Sequence, residues 1–146
     1  MIDALANWPE IWHELRQIGI TYVLTAIIGW DREKEAHSAG LRTFPIVGMA
    51  SCGYLLVLGT HPDTGDQSRV LQGLITGIGF VGGGAILKDG ITVKGTATAA
   101  SVWNAGAIGA SVAMEHYGIA AALGILNLFT LRALLPVKNW LDRGHE

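Results

Sequence analysis

Five stretches of the chain, 17–30, 43–60, 70–87, 96–114 and 117–131, contain no Asp, Glu, Lys or Arg, and the charged residues gather in the short segments between them. A helix that crosses a bilayer needs about 20 mostly apolar residues with few or no charges. The pattern therefore predicts five spanning helices. Trp8, Ile11 and Trp12 extend the first backwards and Leu135 extends the last past Arg132, giving spans of approximately 11–30, 43–60, 70–87, 96–114 and 117–135. The fold class expected is an all-α membrane protein, a bundle of five transmembrane helices forming one domain over residues 1–146.

Loop charge sets an orientation for such a bundle, because short cytoplasmic loops accumulate Lys and Arg. Arg32, Lys34, Arg42, Lys88, Lys94, Arg132, Lys138 and Arg143 fall on one side, whereas Arg16 and Arg69 fall on the other. The N-terminus is expected outside and the C-terminus in the cytoplasm. Composition points the same way: 15% of residues are charged, against about 25% in ordinary soluble domains. A soluble helical bundle is the alternative, but it has no reason to sort its charges by alternate loops. The net charge of -2 removes the electrostatic case for a nucleic-acid partner. Cys52 is alone in an apolar run and reads as a small buried hydrophobe. Asp3, Glu10 and Glu14 stand where a signal peptide carries basic residues, so no cleaved segment is expected.

Gly77, Gly79 and Gly82 have the spacing G-x-G-x-x-G. A dinucleotide-binding turn needs a strand before this motif, a helix after it and an acidic residue about 20 positions on. "RVLQGLIT" has no strand alternation and "TAASVW" has no carboxylate, so the context fails. Small residues instead let helices approach closely. On that reading Gly73, Gly77, Gly79, Gly82, Gly83, Gly84 and Gly106 serve helix packing, with the third span as hub of the bundle. The run Gly82, Gly83, Gly84 also weakens a helix and predicts a break or kink there.

Polar residues inside the spans call for partners. Asn104 and Asn127 are equidistant from a turn at Glu115 and His116, which predicts a mutual hydrogen bond between the fourth and fifth helices. Asp66 and Arg69, three apart, share a helix face; they read either as a cap and a snorkelling cation or as a pair at an outer mouth. His13, His37, His61, His116 and His145 show no ligand spacing, and no nucleophile elbow is present. An enzyme and a bound cofactor are both unexpected.

"GWDRE" at 29–33, "AGLRT" at 39–43, "GDQSR" at 65–69, "GIGFVGGGAIL" at 77–87, "VKGTATAASVW" at 93–103 and "AIG" at 107–109, in that order, resemble the MgtC/SapB family of membrane proteins. Asp31 stands where the family usually has glutamate, and Gly83 where alanine is commoner. The chain stops shortly after the fifth span and so resembles a short form without the C-terminal ACT-like domain of longer members. The resemblance implies a multi-pass protein of the bacterial inner membrane, linked to adaptation to low magnesium or other stress and in some members to restraint of the F-type ATP synthase. Carried over by position, the functional polar residues would be Arg32, Glu33, Arg42, Asp66, Arg69 and Lys94, with Thr98, Trp103 and Asn104 lining the same bundle.

Three functions follow as expectations. One is a regulator or interaction protein that binds another membrane complex through its small-residue faces. A second is a transporter or channel for Mg2+ or another small ion, motivated by Asp66, Glu33 and the glycine break. The third is a structural homodimer joined through paired G-x-x-x-G ridges. The lipid bilayer is a partner in each.

Overall fold

The computed structural model describes residues 8–34, 39–59, 64–89 and 92–136. Asp3, His37, His61, Lys138, Arg143 and His145 lie outside them. Five helices run alternately up and down: α1 (Trp8–Lys34), α2 (Thr43–Leu56), α3 (Thr64–Gly83), α4 (Thr96–Ala113) and α5 (Tyr117–Ala133). A short antiparallel hairpin, β1 (Leu87–Asp89) with β2 (Thr92–Lys94), joins α3 to α4 and pairs Lys88 with Val93. Residues 87–94 read as a bare linker in the sequence, although the Asp-Gly step at 89–90 is a hairpin signal.

Close approach at small residues puts α4 at the centre. A side chain on Gly109 would run into the backbone carbonyl of Gly48, and one on Gly48 would meet the Thr25 methyl at 2.7 Å. Gly109 thus lets α2 and α4 cross with their backbones nearly in contact, and Gly48 lets the Thr21 and Thr25 side chains of α1 seat against α2. Gly106 takes the Ile78 side chain of α3 into the space a Cβ would fill. The resulting core combines Ile28, Phe44, Cys52, Val102, Ile108 and Val112 with buried Gln17, Thr21, Thr25, Ser51, Thr98 and Ser101. Thr25 and Ser51 satisfy their hydroxyls on the carbonyls of Thr21 and Val47, one turn back. Large apolar residues such as Trp12, Trp30, Phe80 and Phe129 remain on the outside.

The expected transmembrane bundle is overturned. Among the described residues, no helix is long and apolar enough to cross a membrane. At a rise of about 1.5 Å per residue, the 14 residues of α2 and the 17 of α5 fall short of a hydrocarbon core roughly 30 Å thick. α1 has the length, but its ends carry Glu10, Glu14 and Arg16 and then Asp31, Arg32, Glu33 and Lys34, and α3 opens on Asp66 and Arg69. With the spans go the N-outside, C-cytoplasmic orientation, the multi-pass inner-membrane location, and the partners that need it, the lipid bilayer and a membrane complex such as ATP synthase. The inner-membrane regulator and the Mg2+ transporter or channel both need that location and are corrected with it.

The third helix is not the hub either. α4 touches each of the other four helices, whereas α3 lies on its outer side. Space is open beside Gly73, Gly77, Gly79 and Gly83, so these four do not pack helices within the chain. Gly82 does, since a Cβ there would sit 3.1 Å from the Ala99 carbonyl of α4. The triple glycine ends α3 rather than kinking it. Gly84 bonds back to Phe80, and Ala85 and Ile86 bond to Gly82 and Gly83, in a turn that leads into β1. Gly95 then occupies the left-handed region at φ 87, where any side chain would strike the Ala85 carbonyl, and starts α4.

Candidate functional site

The last turn of α1 folds against the 39–42 linker because both carry glycine where they meet. A Cβ on Gly29 would lie 3.0 Å from the Gly40 carbonyl, and one on Gly40 would collide with the Glu33 carboxylate. Glu33 Oε2 accepts a hydrogen bond from the Leu41 amide at 3.0 Å, which ties the linker down at the start of α2. The charged turn "DREKE" is thus partly built into the bundle.

Asp31 is the centre of this end. It is buried, and its two carboxylate oxygens are divided between two guanidinium groups. Oδ2 accepts from Arg32 Nη2 at 2.6 Å and Oδ1 accepts from Arg132 Nε at 2.7 Å. Burial alone pushes the carboxyl toward its neutral form, but the hydrogen bonds from Arg32 and Arg132 and the charge of both outweigh it and hold Asp31 below its ordinary value. Arg32 is only 3% exposed, whereas the Arg132 side chain is 67% exposed. One cation is locked inside and the other is presented outward.

Arg132 stands at one end of a groove of about 770 Å3 between α1 and α5. Tyr22, Val23, Ala26, Ile27 and Trp30 form one wall at helical spacing, and Leu128 and Phe129 form the other. Lys34 lies over the Trp30 ring, 5.4 Å from its centroid. The groove is therefore an apolar trough with cations at one end.

The residues singled out in the sequence are dispersed. Arg32, Glu33, Arg42 and Lys94 belong to this end of the bundle, Lys94 on β2. Asp66 and Arg69 begin α3 at the opposite end, 3.5 Å apart and largely exposed. Thr98 is buried in the first turn of α4 and Trp103 is exposed. The predicted Asn104–Asn127 bond is not formed. Asn127 Oδ1 accepts from the Ser101 hydroxyl at 2.9 Å, and Asn104 Nδ2 donates to the Leu123 carbonyl at 3.2 Å. Both asparagines still join α4 to α5, each through a different neighbour, because facing helices place Asn127 closer to Ser101, one turn before Asn104.

Sequence reasoning missed Asp31, taken only as a variant of a family position, and Arg132, taken as a tail charge. It also missed the buried polar stripe Gln17, Thr21, Thr25, whose spacing of four marks one helix face. Arg132 carried a signal, as the one charge in the run 117–137.

Geometry and composition define a helical bundle with a surface groove. Among the described residues no cluster of His, Cys, Asp or Glu could hold a metal ion. The MgtC family model matches residues 18–140, and the chain belongs to the MgtC family. It is 30% identical over 132 residues to an uncharacterized protein of Synechocystis, covering 90% of this chain and 56% of that one. It is 29% identical over 136 residues to Protein MgtC of Brucella abortus, covering 91% and 57%. With Protein MgtC of Salmonella typhimurium the figures are 34% over 107 residues, 73% and 46%. The chain spans about half the length of these curated relatives. No solved structure matches it.

Proposed function

We propose that the chain is a binding module whose α1–α5 groove receives an apolar helix of a partner protein, with an acidic side chain of that helix paired to Arg132. The observation that carries this reading is the groove itself, in which aromatic and aliphatic walls end at an exposed guanidinium. Helix-in-groove recognition uses apolar anchors one turn apart for affinity and a rim charge for register. Tyr22, Ala26 and Trp30 supply the receiving wall at that spacing. The Asp31 carboxylate fixes the Arg132 fork, so little side-chain freedom is lost when an acid docks.

The test is titration of the protein with a helical peptide carrying apolar anchors on one face and a glutamate at one end, followed by calorimetry. Saturable binding by the native chain, lost in Ala26→Trp, which fills the trough while circular dichroism shows the helices intact, is the expected result. Equal binding by the filled variant overturns the assignment.

A further inference from the structure

α1 outruns the bundle it belongs to. It has 27 residues, and Gln17, in its third turn, already marks the level at which α4 ends. The Gln17 Nε2 donates there to the carbonyls of Val112 at 3.1 Å and Ala113 at 3.4 Å. At about 1.5 Å per residue, Trp8 stands roughly 13 Å beyond that level. His13 Nε2, 2.7 Å from Glu115 Oε1, ties this arm to the turn after α4.

The arm carries its polarity inside out. Glu10, His13, Glu14 and Gln17 face the ends of α2 and α4 at Leu55, Leu56 and Ala113. Trp8, Trp12 and Leu15, at 64, 67 and 53% exposure, form the opposite stripe, since positions i, i+4 and i+7 share one helix face. A surface helix ordinarily turns its apolar face to its own core, whereas this one turns it to solvent. Tryptophan is also among the residues most enriched where an interface concentrates its binding energy.

We propose that the arm is the ligand of the α1–α5 groove in a second copy of this chain. This rests on the groove's being a helix receptor, and it names the helix. The groove has aromatic and aliphatic walls and cations, Arg132 and Lys34, at one end. The arm presents Trp8 and Trp12 one turn apart and, over residues 8–16, two carboxylates, Glu10 and Glu14, against one cation, Arg16. A groove of about 770 Å3 is of the size that takes a drug-sized ligand, and two indoles have that bulk. The arm cannot reach the groove of its own chain. Tyr22, Ala26 and Trp30 continue the same helix, and Trp12 and Ala26 are about 21 Å apart along it, 14 residues at 1.5 Å each. The contact is therefore between copies and head to tail, and it either propagates from subunit to subunit or closes as a ring.

Sedimentation of the intact chain over about 1–100 µM tests the assignment with two variants. Trp12→Glu spoils the arm at an exposed position, Ala26→Trp fills the groove, and circular dichroism checks that both keep their helices. Expected are a native mass that rises with concentration above that of the monomer and self-association at least about tenfold weaker in either variant alone. The equimolar mixture of the two variants should recover association as a one-to-one pair that grows no further, because one intact arm and one intact groove remain. A native chain that stays monomeric overturns the self-docking, and whether it still binds the helical peptide decides separately whether the groove reading stands. Association unchanged in either folded variant, or a mixture that stays monomeric, overturns the self-docking as well.

Discussion

Arg132 donates from Nε to Asp31 Oδ1 at 2.7 Å, joining residues 101 positions apart and closing the end of α5 onto the end of α1. The same carboxylate holds Arg32 from the other side at 2.6 Å. The two arginines are not equivalent, because one is buried and the other is open to solvent. Asp31→Ala breaks the buried ion pair with Arg32 and the tie to Arg132 together, and breaking a buried pair costs about 3–5 kcal/mol. Arg132→Ala removes an exposed partner and is expected to cost about 1 kcal/mol or less. Chemical denaturation of the two variants measures the contrast, and equal losses would refute the division of roles.

Acid should act through the same carboxylate. Asp31 has its folded-state value depressed, so its contribution to stability is fully present above the unfolded aspartate value of about 3.9 and is lost as the pH falls through the lower folded value. Denaturation midpoints are expected to decline below about pH 4 in the native chain and to decline less steeply in Asp31→Asn. Parallel curves would show that Asp31 is not the group responsible.

Cys52 behaves in the opposite sense. Burial pushes its thiol up, with the Thr21 hydroxyl working against that shift. The contribution is complete below the unfolded thiol value of about 8.5 and is lost as the pH rises toward the higher folded value. The native thiol should resist alkylation at neutral pH and react on unfolding. Rapid labelling of the folded chain would contradict its burial in the α1–α2–α4 core.

Glycines divide by what surrounds them. Gly109→Ala drives a methyl into the Gly48 carbonyl, which is backbone and cannot swing aside, so a loss of about 1–3 kcal/mol is expected. Gly73→Ala and Gly77→Ala add a methyl to open space on a helix and should gain roughly 0.5–1 kcal/mol each. Thermal unfolding of the three variants checks the sign, and a destabilised Gly73→Ala would mean that α3 packs more closely than its surroundings show.

The existence and order of the five helices were legible because charges fall between them, and the Asp66–Arg69 pairing was legible from spacing alone. What the residues could not convey was which glycines have a neighbour. Gly73, Gly77, Gly79 and Gly83 fit the G-x-x-x-G spacing and Gly48 and Gly109 do not, yet the close approaches are at the latter two, because only a tertiary partner turns a small residue into a packing site. The break at Gly82 to Gly84 was foreseen, and its outcome as a helix end was not, since the Asp-Gly turn after it went unread. The Asp31 site needed a contact across 101 residues, which no local pattern contains. Charge-free stretches alone suggest spans, although the length and the apolarity of the helices together decide the matter.

A helix seated in the α1–α5 groove is expected to take its orientation from the charge of Arg132. Direct measurement compares, on the unmodified chain, two helical peptides of identical apolar face that differ only in carrying Glu or Lys at the end that meets Arg132. Tighter binding of the Glu peptide by about tenfold, shrinking as salt is raised, is the predicted result. Equal affinities, or no saturable binding of either peptide, would contradict it.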